Sequence, residues 1–141
     1  MLGSDRRRRF VYAPPPGWQG TGDAFDARWY PFDYPRNPGR IIVTPALPAT
    51  LAAADGIVQQ MVGEPGESVP PPERFTSRYG LAGAHYQLDL GTHMFFLSDD
   101  RYLYSVRVDH ELAAGRALVE SIEPVPHFRL PDVDSFRFWA D

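Results

Sequence analysis

Four histidines, at positions 85, 93, 110 and 127, are the first places to look for chemistry in this chain. His110-Glu111 begins like the zinc-protease pattern H-E-x-x-H, in which two imidazoles one helical turn apart hold the metal. Position 114 is Ala, so the second ligand is missing. His85 and His93 are near enough in sequence to form a metal pair if strand register brings them to one face. Asp99-Asp100 offers adjacent carboxylates for acid–base work or calcium, but Ser98-Asp99-Asp100-Arg101 reads more simply as the polar tip of a hairpin. Asp89 and Arg107 offer a charge pair, either structural or the floor of a polar pocket. No Gly-x-Ser-x-Gly elbow and no Gly-rich phosphate loop opening a helix occurs. The absence of Cys excludes disulfides, thiolate zinc sites, iron–sulfur clusters and cysteine nucleophiles. All 14 basic residues are Arg, the bias a GC-rich genome imposes, and this removes lysine Schiff-base chemistry. The residue types therefore nominate no catalytic group, no cofactor and no required metal.

The elements that must position these side chains centre on 81–122. Three strand-like runs, Ala84–Leu90, Thr92–Leu97 and Tyr102–Val108, are separated by Leu90-Gly91 and by Ser98–Arg101, both turn signals. Two-residue turns at both places pair Leu97 with Tyr102, Phe95 with Tyr104 and His93 with Val106. They also pair Leu88 with His93 and Tyr86 with Phe95. Side chains alternate along a strand, so Tyr86, Leu88, His93, Phe95, Leu97, Tyr102, Tyr104, Val106 and Val108 share one apolar face. His85, Gln87, Asp89, Met94, Phe96, Leu103, Ser105 and Arg107 fall on the other, mixed face, which is too apolar to be left open. In this register His85 and His93 lie on opposite faces and cannot share an ion, leaving His93 as a core-face histidine. A helix follows over His110–Ile122, with Asp109 as N-cap, Glu111 in the first turn and Pro124 as stop. Its stripe, Leu112, Gly115, Leu118 or Val119, and Ile122, must pack on the sheet.

Upstream, Arg6–Arg9 reads as part of a disordered basic N-terminus over 1–9, and Phe10-Val11-Tyr12 as a short strand ended by Pro14–Trp18. The stretch 20–39 holds Phe25, Trp29, Tyr30, Phe32 and Tyr34 among turn formers. It either folds over a sheet edge or displays a recognition surface, where Trp and Tyr are enriched. Arg40–Thr44 is a strand ended by Pro45 and Pro48. Thr50 caps a helix through Val62 whose apolar positions are Leu51, Ala54, Ile57, Val58, Met61 and Val62. Gly63–Glu73 is a Pro-rich acidic loop. The division expected is one α+β domain over 10–126 and an aromatic extension over 127–141, with Phe136, Phe138 and Trp139 needing somewhere to dock.

A chain of 141 residues forms one domain and buries roughly 68–70% of its unfolded surface. The net charge of −4 argues against nucleic acid and anionic membrane as partners. No apolar run nears a membrane span and none follows the arginine cluster as in a signal peptide, so a cytoplasmic protein is expected.

The order of elements resembles the PsbP/DcrB-like superfamily. The residues that carry the likeness are Pro16-Gly17-Trp18 after the first strand, Ile41-Ile42-Val43 leading to a helix, Asp100-Arg101-Tyr102-Leu103-Tyr104 opening a late strand, and Leu118-Val119-Glu120-Ser121-Ile122 closing the last helix. It covers about 10–126; the aromatic stretch 20–39 and the tail beyond Pro126 depart from it. The resemblance implies an antiparallel sheet with two main helices in an α/β/α sandwich. It also implies non-enzymatic work, as in extrinsic subunits, adaptors and the Eag-type chaperones of type VI secretion effectors, and brings no catalytic residues. Three functions are expected to compete, the third being a self-associating structural protein. One is a chaperone, adaptor or immunity-type inhibitor that grips another protein through Trp29, Tyr30, Phe32, Tyr34, Phe136, Phe138 and Trp139, a second copy of the chain being another occupant. Another is a small enzyme or small-ligand binder using His85, Asp89 and Arg107 on the mixed face.

Overall fold

The computed structural model describes residues 3–4, 9–22, 26–62, 69–99 and 101–125. The strands in chain order are β1 (Gly3–Ser4), β2 (Phe10–Tyr12), β3 (Gln19–Gly22), β4 (Ala27–Tyr30), β5 (Arg40–Leu47), β6 (Glu73–Thr76), β7 (Ala82–Gln87), β8 (Thr92–Ser98), β9 (Leu103–Asp109) and β10 (Glu123–Pro124). Helix α1 (Ala54–Val62), entered through a 3₁₀ turn at Leu51–Ala53, lies between β5 and β6, and α2 (Leu112–Glu120) follows β9. A seven-stranded antiparallel sheet runs in the order β3-β4-β5-β9-β8-β7-β6, and β1, β2 and β10 make a small second sheet. The fold is α+β. The long connection through α1 carries the chain from β5 to the far edge, and the meander β6 to β9 returns it to pair with β5.

Apolar residues fall on both sides of the central strands because both sides are covered. Ala54 and Val58 of α1 close one face over Ala84, Tyr86, Met94, Phe96 and Leu103. Leu118 and Val119 of α2, with Ile122 and with Phe10 and Tyr12 of β2, close the other over Ile41, Val43, Phe95, Leu97, Tyr104, Val106 and Val108. This explains the unbroken run Met94–Leu97, which a strand with one wet face would not tolerate. Each fully buried Leu, Val or Phe among them contributes about 1.5–3 kcal/mol of transfer free energy. The close seat of α2 depends on Gly115: a Cβ there would lie 2.3 Å from Val108 Cγ2.

The register differs from the expected one at both turns, with unequal consequences. Leu97 pairs with Tyr104 and Phe95 with Val106, two residues along β9 from the expected partners. A shift of two keeps every side chain on its face, so Phe95, Leu97, Tyr104 and Val106 do form one apolar layer. At the other hairpin His85 pairs with Phe95, Tyr86 with Met94 and Gln87 with His93, a shift of one. A one-residue shift exchanges the faces of the whole strand. Tyr86 therefore lies under α1, with its hydroxyl donating to Asp55, and His85 lies on the α2 side. The cause is a three-residue loop, Asp89-Leu90-Gly91. Leu88 N donates to Thr92 O at 2.9 Å, and the Asp89 carboxylate accepts from Gly91 N at 2.9 Å.

Three other expectations need correction. Asp109 does not cap α2: it ends β9, and its carboxylate takes Arg40 Nη2 at 2.7 Å and Arg107 Nε at 3.2 Å. His110 then turns with φ 70°, and Glu111 stands at the N-cap position without a side-chain cap. Strand β5 does not stop at Pro45 but continues through a bulge between Thr44 and Leu47, one of the places a sheet accepts proline, and ends at Leu47, just before Pro48, the second of the two expected end signals. Gly3–Ser4, expected within a frayed tail, pairs with Val11 and Tyr12. The aromatic extension over 127–141 lies outside the described residues.

Candidate functional site

The stretch 20–39 is not one loop but a hairpin followed by an ordered turn. Strands β3 and β4 pair over Gln19–Gly22 and Ala27–Tyr30, which sets Trp29 and Tyr30 on opposite faces and leaves Phe32 and Tyr34 to the turn beyond. Trp29, expected on a partner surface, points inward: it is only 9% exposed, and its indole Nε1 donates to Tyr12 Oη at 3.0 Å. A core position with a satisfied N–H leaves it no free surface for recognition. Tyr30 is half-buried with its ring 4.6 Å from that of Tyr34. Phe32 and Tyr34 stand out, at 80% and 46% exposure.

The turn that carries them is held from within and from α2. Tyr34 N donates to Pro31 O at 3.0 Å and Arg36 N to Asp33 O at 2.9 Å. Asn37 then serves two ends: its Oδ1 accepts from Gly39 N at 3.0 Å, and its Nδ2 donates to Glu111 Oε1 at 2.9 Å. Glu111, expected as a first-turn acid of the helix, is thereby the anchor of the aromatic turn. The remaining aromatics assigned to a partner surface, Phe136, Phe138 and Trp139, lie outside the described residues.

The polar constellation expected on the mixed face is not assembled. Arg107 pairs across from Met94 on the α1 side, Asp89 is exposed in the β7–β8 loop, and His85 lies on the α2 side. Arg107 still helps to hold the Asp89 carboxyl below its ordinary range, after the hydrogen bond from the Gly91 amide. The Asp99 carboxylate, at the other hairpin, is engaged rather than free: it accepts from Arg101 N at 2.7 Å, Tyr102 N at 2.8 Å and Tyr104 Oη at 2.7 Å.

The one-residue shift brings together two residues that the expected register kept apart. His85 Nε2 and His93 Nδ1 are 2.9 Å apart. The His85 ring stacks on Phe95, centroids 4.2 Å apart and planes within 7°. From α2, Arg116 Nη2 comes within 3.4 Å of His85 Nδ1, and Arg116 Nη1 lies 3.7 Å from Glu73 Oε1 on β6. A guanidinium only donates, so His85 Nδ1 accepts and its proton sits on Nε2, where it is donated to His93 Nδ1. His93, 5% exposed, then carries its own proton on Nε2. Burial lowers the pKa of both imidazoles, and for His85 the neighbouring His93 and Arg116 lower it further. The signal that could have found this pair is the Asp89-x-Gly91 motif, which favours a three-residue loop over a two-residue turn. Among the described residues no group of three His, Asp or Glu side chains is placed to hold a metal ion, and no helix is long and apolar enough to cross a membrane.

No family model and no curated protein sequence matches this chain. Among solved structures it is similar to a chain from Bacteroides thetaiotaomicron VPI-5482, with a TM-score of 0.53 at 12% identity, over 89% of this chain and 48% of that one. This chain thus spans about half the length of that structure, and the likeness is one of fold alone.

Proposed function

We propose that this protein is a non-enzymatic protein-binding module of the chaperone, adaptor or immunity type, working in the cytoplasm and gripping its partner through the aromatic turn 31–37. The observation that carries this reading is Phe32, 80% exposed beside a partly exposed Tyr34, on a turn pinned to α2 through Asn37 and Glu111. Aromatic side chains on an already ordered turn lose little conformational entropy on binding, which is what makes such residues interface hot spots. Membership in the PsbP/DcrB-like superfamily is part of the same proposal, supported by one helix on each face of an antiparallel sheet.

The test is the double variant Phe32→Ala/Tyr34→Ala. Phe32 is largely in solvent and Tyr34 partly so, against Tyr30, so the variant's melting temperature should stay within about 4 °C of the parent. Two hot-spot truncations cost about 2 kcal/mol each, so capture of the partner from the source organism should fall by at least about a hundredfold. Sedimentation of the purified protein separates a second copy from a foreign partner. An unchanged set of captured proteins and an unchanged mass in solution would overturn the proposal.

A further inference from the structure

The contact between α2 and the β6–β7 edge runs through titratable groups, and protonation works against it. His85 on β7 is wedged between Phe95 and His93 of β8, and it meets α2 through Arg116. Glu73 on β6 lies 3.9 Å from His85 Nδ1 and 3.7 Å from Arg116 Nη1. Glu120, at the other end of α2, accepts from Arg78 N in the β6–β7 turn at 2.6 Å. Two carboxylates, Asp89 and Asp109, act on His93 from the β7–β8 loop and the end of β9. Arg116 is the cation that acts on both imidazoles, and it has guanidinium nitrogens within reach of His85 and Glu73.

We propose that His85 and His93 form an acid-sensitive latch: neutral, they hold α2 to the β6–β7 edge through Arg116; protonated, they release it. The hydrogen bonds in the pair require one unprotonated nitrogen on each ring facing a donor. A proton on His85 Nδ1 replaces the acceptor for Arg116 with a second donor, and the ring then turns towards Glu73. A proton on His93 Nδ1 removes the acceptor for His85 Nε2. Each protonation sets a cation against Arg116 in a site that is buried at His93 and open to solvent at Arg116, so the repulsion is only partly screened. Glu73, largely in solvent, is the nearest carboxylate to His85 and offsets only part of this.

The sign follows from linkage. The folded pair binds protons more weakly than the unfolded chain, whose imidazoles titrate near the ordinary value of about 6.5. The latch is fully closed above that pH and loosens as pH falls from there to the folded midpoints.

Hydrogen exchange of the full chain between pH 7 and pH 5, corrected for intrinsic rates, reads the opening. We expect the opening equilibrium of α2, β6 and β7 amides to rise by up to about tenfold per pH unit for each histidine below pH 6.5, with β4 and β5 unchanged. His85→Gln should remove about half of this dependence, and His85→Gln/His93→Gln all of it. Arg116→Gln, at an exposed position, should raise both histidine midpoints measured by NMR, a shift that loss of packing alone would not produce. A midpoint at or above 6.5 for either histidine in the wild-type protein overturns the proposal, whether or not the buried His93 variant folds. So does an equal acid response in β4 and β5, or a pH dependence that survives the double substitution.

Discussion

Gly115→Ala isolates the contact on which the α2 layer rests. In a helix interior this substitution ordinarily stabilises by about 0.5–1 kcal/mol, because Ala loses less backbone entropy than Gly on folding. Here the added Cβ would sit 2.3 Å from Val108 Cγ2, 2.6 Å from Val108 Cγ1 and 3.0 Å from Val108 Cβ. Val108 is fully buried, β-branched and fixed in β9 between β5 and β8, so it cannot rotate away. Relief requires α2 to lift off the sheet, and Leu118, Val119 and Ile122 lose contact with it. Overpacking of this kind costs about 1–3 kcal/mol and exceeds the helix gain, so the net effect should be a loss of about 1–2 kcal/mol. For a chain of this size that lowers the melting temperature by about 2–8 °C. The partner variant Val108→Ala removes the two obstructing methyls and alone should cost about 2–3 kcal/mol. The double variant should be more stable than the sum of the two losses, because the new methyl enters the vacated space. Urea unfolding of the four proteins in a double-mutant cycle measures this, with a coupling of at least about 1 kcal/mol expected. A neutral or stabilising Gly115→Ala, or strictly additive losses, would refute the close seat of α2 on β9.

Phe95→Ala and Tyr104→Ala should each cost about 3–5 kcal/mol by denaturant unfolding, since both side chains are almost wholly buried in the same layer; losses under about 1 kcal/mol for both would remove that layer from the core. Tyr86, buried under α1 and donating to Asp55, has its pKa pushed up to about 12, chiefly by burial. Stability should therefore decline as pH rises from about 10, where the unfolded chain ionises, towards 12. Tyr86→Phe should weaken that alkaline decline, and an identical decline in the variant would contradict the assignment.

Much of the architecture is written in local patterns. Leu112, Gly115, Leu118, Val119 and Ile122 recur at helical spacing, and that spacing alone places them on a buried stripe. Thr92–Leu97 and Tyr102–Val108 read as strands, and the run Met94–Leu97 already requires a covered second face. The absence of Cys and Lys removes whole classes of chemistry regardless of fold. Strand periodicity, however, reports only whether a shift is even or odd. The two-residue error at Ser98–Tyr102 left every face intact, while the one-residue error at Asp89–Gly91 turned His85 from the α1 side to the α2 side. Loop length is settled by where the Asp89 carboxylate finds the Gly91 amide, a choice made by atoms that no periodicity records. The same limit applies to Asp109 and Glu111. Sequence makes each a plausible helix-start acid, yet Asp109 neutralises Arg40 and Arg107 across β5 and β9, and Glu111 anchors Asn37 on the aromatic turn. Trp29 and Phe32 look alike as aromatic residues in a turn-rich stretch, yet the pairing of β4 with β5 places Trp29 in the core, while Phe32 stands in the turn beyond β4 and stays in water. Side chains close in sequence settled the elements; partners more than 60 residues away settled which of those side chains remain free to act, because burial and charge pairing are properties of neighbours that only the folded chain supplies.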